Sequence, residues 1–243
     1  MHLQLDGLTA VVTGGTAGIG AAIVRALASE GCAVEFCARA EDSVARTSLA
    51  CADLPGHVRG TVLDVVDEDA MDRWLARVGA FDIFVPNVSA ISADWKAAIE
   101  VDIQATVRNT EVAVPYLLCS KHAAITYIGS KAGSLAAPLS AAYGASKAAM
   151  AHYMKSLSAR LLPGVRVNTV SPGDTLADHG VWDRARSQEP AVYERVVGRN
   201  PMGRLATPDE IAKVVAFISS PAASFVAGAN WYVDGGSIAH VQI

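Results

Sequence analysis

Short apolar runs rich in β-branched residues recur along the chain: TAVVTG, AVEFCA, RGTVLDV, FDIFVPN, AAITYIGS, RVNTVSPG and NWYVDGG. Between them lie longer stretches with helical periodicity, such as AAIVRALASEG, DAMDRWLARVG and SAAYGASKAAMAHYMKSLSARLL. The alternation is βαβ throughout. Strands that are apolar on both faces imply a parallel sheet covered by helices on both sides, an α/β fold. Ligands of such sheets bind beyond the strand C-termini, near the point where strand order reverses.

The chain is 243 residues long, with 51% hydrophobic and 18% charged residues, so it can bury one large core. A single domain over residues 1–243 is expected, since no linker, repeat or low-complexity tract divides it. A net charge of -4 without a basic run gives no electrostatic reason for nucleic acid or an anionic membrane as partner, which leaves a small molecule. The N-terminal MHLQLDGLTAVV lacks a basic region before a long apolar run, and no segment has 18 uninterrupted apolar residues. A cytoplasmic protein is the expectation. Cys32, Cys37, Cys51 and Cys119 show no metal-ligand spacing and the six histidines do not cluster, so no metal is expected and the thiols read as reduced hydrophobes.

The first strand runs into TGGTAGIG, residues 13–20, and a helix follows at once. Gly14, Gly18 and Gly20 allow a tight turn, close backbone approach to a pyrophosphate, and helix N-terminal N–H groups aimed at its charge. Gly14, Thr16, Ala17, Gly18, Ile19 and Gly20 are therefore candidate cofactor contacts. An acidic residue at the tip of the second strand would select NAD through the adenosine ribose. Ala38 and Arg39 stand there instead. A guanidinium suits a 2′-phosphate, so NADP(H) is favoured over NAD(H), the alternative being that Arg39 is a solvated loop residue. Glu35 lies inside the strand, and Glu41 and Asp42 come late enough to be first-turn helix residues.

Two Tyr-x-x-x-Lys spacings occur, YIGSK at 127 and YGASK at 143. Tyr127 belongs to a strand, where four extended residues place the two side chains about 13 Å apart. Tyr143 and Lys147 fall in an alanine-rich helical stretch, where i and i+4 share a face with Cβ atoms about 6 Å apart. An ammonium beside a phenol favours the phenolate, the condition for exchanging a proton with a carbonyl oxygen near neutral pH. Ser130, at the tip of the fifth strand, offers a hydroxyl to the same oxygen. Alternatively, Tyr143 is an ordinary amphipathic helix residue and Ser130 a turn hydroxyl.

Taken in order, TGGTAGIG, the aspartate of LDV at 64, the strand-four motif at 86–89, Ser130, YGASK, RVNTVSPG at 166 and YVDGG at 232 resemble the short-chain dehydrogenase/reductase superfamily in its single-domain branch. The resemblance covers almost the whole chain. It implies a doubly wound Rossmann fold of seven parallel strands and hydride transfer between a nicotinamide and a carbinol carbon. It implies Tyr143 as general acid in reduction, Ser130 orienting the substrate oxygen, and Lys147 tuning Tyr143 and binding the nicotinamide ribose. Asp64 and Val65 would meet the adenine, Asn87 would lie along the cofactor, and Pro172 and Gly173 would border the nicotinamide. Thr175 is a candidate for the carboxamide, although the later threonine common in relatives is Ala177 here. The same resemblance implies a homotetramer built on segments 94–118 and 142–161, with Gly144 and Ala145 permitting close approach or serving internal packing.

Two departures stand out. Pro86-Asn87-Val88-Ser89 replaces the usual Asn-Asn-Ala-Gly, losing the bond of the first asparagine. Asp102 replaces the catalytic asparagine of the fourth helix; it can accept the same hydrogen bonds but cannot donate, and it brings a charge that can pair with Lys147. Its alternative is a helix residue without a catalytic role.

Residues 174–205 are too long for a simple connection and are expected to form short helices closing over the cofactor, a substrate lid. Trp182, Tyr193 and Met202 would supply apolar walls and His179 a polar contact, suiting a partly hydrophobic or cyclic carbonyl compound; each serves equally well to pack the lid itself. An NADP-dependent carbonyl reductase or alcohol dehydrogenase is the leading expectation. Behind it stand an NAD-dependent relative and a cofactor-binding protein without turnover. A nucleotide-sugar epimerase is disfavoured for lack of a further C-terminal region.

Overall fold

A computed structural model describes residues 2–239; Met1 and residues 240–243 lie outside the described residues. The strands are β1 (Thr9–Thr13), β2 (Ala33–Ala38), β3 (Val58–Val62), β4 (Ile83–Val85), β5 (Ala124–Ile128), β6 (Arg166–Pro172) and β7 (Asn230–Val233). They form one seven-stranded sheet in the order β3-β2-β1-β4-β5-β6-β7, and every pairing is parallel. Strand order therefore reverses between β1 and β4, which opens the crevice where this class of sheet holds its ligand.

The helices are α1 (Gly18–Ser29), α2 (Glu41–Ala50), α3 (Glu68–Val78), a short α4 (Trp95–Ala97) continued by a π-helical stretch (Ala98–Ala105) into α5 (Thr106–Leu117), then α6 (Ala141–Leu161), α7 (Val181–Gln188), α8 (Pro190–Arg199) and α9 (Pro208–Ser219). Alternation along β1 sets the two layers. Ala10 and Val12 face one core with Ile23 and Leu27 of α1 and Ile211 and Val215 of α9. Val11 faces the other, with Met71 and Trp74 of α3, Leu117 of α5 and Met150, Met154 and Leu157 of α6. Each fully buried side chain of this kind contributes about 1.5–3 kcal/mol, so two dry faces rather than any single contact hold the sheet between its helices.

The long excursion after β6 behaves differently. Its base is pinned where Thr175 bridges Ala206, with Leu176 N–H donating to the Ala206 carbonyl at 2.8 Å and Ala206 N–H to the Asp174 carbonyl at 3.0 Å. Beyond that base, α7 buries only Ala185 and α8 buries no residue. The expected short helices are there, standing on the surface rather than in either core.

Candidate functional site

Every strand delivers its candidate residue to the same edge of the sheet. At the end of β1, Gly14 has φ 71° and Gly18 φ 49°, backbone that a side chain would strain. Gly20 is required for space: a Cβ there would lie 2.1 Å from the Gly14 carbonyl oxygen and 2.5 Å from the Asn87 amide nitrogen. The N-terminus of α1 has Ala17 as its cap, no side-chain cap bond and no acidic residue in its first turn. Its positive dipole end is thus left for an anion. Asn87 locks this loop from the next strand, its side-chain amide donating to the Thr13 carbonyl at 3.0 Å and the Gly14 carbonyl at 3.1 Å, while its backbone N–H donates to Thr13 Oγ1 at 3.0 Å. Pro86 lies just past the end of β4, where a proline is tolerated, and its carbonyl accepts from Ile128 N–H at 3.1 Å.

At the tip of the second strand, Arg39 follows β2 directly and its guanidinium lies 3.9 Å from the Asp64 carboxylate. The two candidates from different strands are thereby brought together, with Arg39 81% exposed along its side chain. Glu35 is engaged inside the sheet by Arg59 at 2.8 Å, and Glu41 and Asp42 occupy the first turn of α2. None of these carboxylates stands at the strand tip. Beside Thr16 a cavity of about 200 Å³ is lined by Arg25, Ser43, Arg46 and Thr47. Val65 is held by Asn109 of α5, whose side-chain amide donates to the Val65 carbonyl at 2.8 Å.

Just past the fifth strand stands Gly129, where a Cβ would meet Ser171 Oγ at 2.7 Å, and Ser130 follows as the cap of a 3-10 turn. Ser130 Oγ accepts from Ala132 N–H at 3.1 Å, leaving its own proton free to donate. Gly133 lets this turn press on α6: a Cβ there would stand 3.0 Å from the Lys147 carbonyl carbon and from the Ala148 nitrogen. The Ser130 turn is so seated against the helix that bears Tyr143 and Lys147. The Lys147 ammonium lies 5.6 Å from the centre of the Tyr143 ring and 5.0 Å from that of Tyr127, within cation–π reach of both.

Lys147 and Asp102 are buried, and Lys147 Nζ stands 3.6 Å from Asp102 Oδ1. Oδ1 has no hydrogen-bond partner, whereas Oδ2 accepts from Ala90 N–H at 3.2 Å and ties the loop after β4 to the helix. Asp102 sits in the π-helical stretch, whose wider turns are a common mark of a functional position. Tyr127 is a partner the sequence did not reveal. The Lys147 ammonium donates to its hydroxyl at 3.0 Å and to the Ile128 carbonyl at 3.2 Å. Burial, and then the Asp102 carboxylate, push the Tyr127 phenol well above its ordinary pKa, so it stays neutral. The other YxxxK spacing is indeed no pair: Lys131 turns away to Asp174 at 2.5 Å.

On the far side, Gly173 N–H donates to the Val233 carbonyl at 2.9 Å, and a Cβ on Gly173 would lie 2.7 Å from Asp234 Cα. Asp234 of the YVDGG landmark is thus structural, bracing Pro172 and Gly173 from behind while its carboxylate accepts from Gly236 and Ile238 N–H. Thr175 Oγ1 donates to the Gly173 carbonyl at 3.1 Å. The start of the excursion leans on the glycine loop, since a Cβ on Gly18 would be 3.4 Å from Ala177 Cβ. His179, with φ 58°, is exposed, as is Met202, while Trp182 and Tyr193 are partly exposed. Tyr127 and Asn109 are the two positions that sequence reasoning missed; a buried strand tyrosine signals nothing until its helix neighbour is known.

A family model described as enoyl-(acyl carrier protein) reductase matches residues 14–237. Cis-4-hydroxycyclohexanecarboxylate dehydrogenase of Sinomonas cyclohexanicum is 36% identical over 246 residues, covering 93% of this chain and 95% of that protein. Among solved structures, L-sorbose reductase from Gluconobacter frateurii, complexed with NADPH and L-sorbose, superposes with a TM-score of 0.92 at 25% identity, covering 99% of this chain and 100% of that one. A 7α-hydroxysteroid dehydrogenase complexed with NADH and 7-oxo glycochenodeoxycholic acid gives 0.90 at 26% identity, covering 99% and 98%. With the strand order, the glycine loop and these likenesses together, the chain belongs to the short-chain dehydrogenase/reductase superfamily of oxidoreductases.

Proposed function

We propose that the protein is an NADP-dependent reductase of carbonyl compounds, or dehydrogenase of the corresponding secondary alcohols, with Tyr143 as its general acid/base. The observation that carries this reading is the Lys147 ammonium 5.6 Å from the Tyr143 ring, with the Ser130 turn seated on the same helix. The glycine loop fits a dinucleotide, since its closest approaches leave no room for a Cβ at Gly20 and its helix N-terminus has no side-chain cap. Gly14, Thr16, Ala17, Gly18, Ile19 and Gly20 would hold the pyrophosphate, Asp64 and Val65 would meet the adenine, Asn87 would lie along the cofactor, and Lys147, Pro172, Gly173 and Thr175 would hold the nicotinamide side. When bound, the cofactor supplies or accepts the hydride. Ser130 donates its free proton to the substrate oxygen and fixes its direction. Tyr143 gives its phenolic proton to that oxygen during reduction and takes it back during oxidation, and the Lys147 charge stabilises the phenolate left behind.

Preference for NADP rests on Arg39 and on the basic and hydroxylic cavity of Thr16, Arg25, Ser43 and Arg46, chemistry suited to a phosphate monoester. L-sorbose reductase, which was solved with NADPH, favours the same cofactor, while the NADH of the steroid enzyme marks the competing outcome. Residues 174–205 act as the lid, with Trp182, Tyr193, Met202 and His179 towards the substrate. A ring ketone is the substrate class we infer from these apolar side chains, and the hydroxycyclohexanecarboxylate relative supports it. The exposed small face of α6, Ala141, Ala145 and Ala148, beside an apolar depression of about 500 Å³, supports a homotetramer. No helix among the described residues is long and apolar enough to cross a membrane.

The test is NADPH oxidation against a panel of cyclic and open-chain ketones, with NADH in parallel. Turnover with NADPH that vanishes in Tyr143→Phe supports the reading. Tight NADPH binding with no turnover of any ketone or alcohol points instead to a cofactor-binding role.

A further inference from the structure

Fully buried ammonium and carboxylate groups left to themselves close to a charge-assisted hydrogen bond of about 2.7–2.9 Å. Lys147 and Asp102 do not, although Oδ1 has no other donor and both are shut away from water. Two bonds act on the ammonium from another direction: Tyr127 Oη at 3.0 Å and the Ile128 carbonyl at 3.2 Å, both on β5. The carbonyl is common to any residue at 128, whereas the phenol depends on this side chain. Its ring also lies under the ammonium, 5.0 Å from Nζ, and its hydroxyl is neutral, so it accepts from Lys147 without cancelling the charge.

We propose that Tyr127 is a positioning residue that holds the Lys147 ammonium off its buried counter-ion Asp102 and so keeps that charge at the disposal of Tyr143. The device is specific to a chain in which a carboxylate stands in the helix facing the lysine. With an uncharged side chain at 102 nothing would draw the ammonium away and no restraint would be needed. Other titratable groups do not compete for it: Glu100 of the π-helical stretch is exposed, Lys131 of the 3-10 turn is taken by Asp174, and Arg166 at the far end of β6 donates to the carbonyls of Ile218, Ser219, Ser220 and Val226.

The role of Lys147 beside Tyr143 rests on the function proposed above, so the test reads geometry as well as rate. Crystal structures are determined for Tyr127→Phe, Asp102→Asn and the double variant. In Tyr127→Phe, Lys147 Nζ is expected to close on Asp102 to hydrogen-bond distance; in Asp102→Asn it is expected to stay on Tyr127 and Ile128. In alcohol oxidation, Tyr127→Phe is expected to move the acid limb of the pH profile up by about one unit, the low end of the effect of a single neighbouring charge. In the Asp102→Asn background the same change is expected to move it little. An unmoved lysine in Tyr127→Phe, or a lysine that leaves Tyr127 in Asp102→Asn, overturns the proposal. Equal shifts in both backgrounds do so too. Should Tyr127→Phe fail to fold, the Asp102→Asn structure alone decides. The lysine position is read whether or not the protein turns over any ketone, so failure here is separate from failure of the functional reading.

Discussion

Asp102 Oδ1 and Lys147 Nζ face each other across 3.6 Å, on side chains 0% and 2% exposed. That carboxylate opposes formation of a second negative charge on Tyr143, whose ring centre lies 5.6 Å from the same ammonium. Asp102→Asn keeps the shape and removes the opposition, so the base form of the site should appear at lower pH. We expect retained activity, with the pH profile of oxidation moved to lower pH. An unchanged profile in purified enzyme removes Asp102 from the proton path. Asp102→Ala should in addition leave Ala90 N–H without its acceptor, at a cost of about 1–3 kcal/mol, measurable by chemical denaturation.

Tyr143→Phe deletes one hydroxyl on a partly buried helix face and leaves the Lys147 bonds to Tyr127 and Ile128 untouched. Folding and NADPH affinity should survive. The rate should fall by about 10²–10⁴-fold, the usual contribution of general acid–base catalysis. Single-turnover hydride transfer followed by NADPH fluorescence separates this loss from weaker binding.

What the sequence made legible was local or periodic. The strand runs, the tight glycines at 14 and 20 and the i, i+4 placement of Tyr143 and Lys147 each follow from backbone geometry within one element, and the structure bears them out in place. What it hid needed two elements at once. Tyr127 looks like any buried strand residue until β5 is packed on α6, and Asn109 like any helix asparagine until its amide reaches the Val65 carbonyl across the sheet edge. Asp102 was visible as a departure, but the 3.6 Å that separates it from Lys147 was not.

Gly20 separates packing from conformation, because its φ is not in the left-handed region and the whole effect of a side chain is steric. A methyl there would meet the Gly14 carbonyl oxygen at 2.1 Å, and that oxygen belongs to rigid backbone. Gly20→Ala should therefore displace the loop that Asn87 clamps. Loss of NADPH binding by at least 10-fold is expected, an order-of-magnitude figure equal to about 1.4 kcal/mol. Isothermal titration measures it, and unchanged affinity would show that the dinucleotide does not use this turn.

Arg39 is bound only loosely, its guanidinium 3.9 Å from Asp64 and largely in solvent, so it can turn to a 2′-phosphate without breaking a strong pair. Arg39→Ala should raise KM for NADPH by about 10-fold, the lower end for a charge-assisted contact, and leave KM for NADH nearly unchanged. Equal effects on both cofactors would assign Arg39 to general surface charge.

The base of the excursion offers a test of stability against pH. Thr207 and Glu210 cap α9 reciprocally: Thr207 Oγ1 accepts from Glu210 N–H at 3.3 Å, and the Glu210 carboxylate accepts from Thr207 N–H at 2.9 Å. The hydrogen bonds from Arg204, at 2.6 and 2.8 Å, and then that from Thr207 N–H, hold the Glu210 carboxyl down at about 2, below its ordinary 4.5. A depressed carboxyl stabilises the fold fully above pH 4.5 and loses that contribution as pH falls towards 2. The group is exposed, so solvent screening keeps the contribution well under what the shift alone implies. Thr207→Ala should cost about 1 kcal/mol at pH 7 through loss of the cap. Glu210→Gln should be less stable than the parent at pH 7, and the difference should shrink as the pH is lowered. Thermal unfolding of the parent and both variants across that range checks the sign. A gap for Glu210→Gln that widens in acid would mean that the carboxylate is not what anchors α9 at the foot of the excursion.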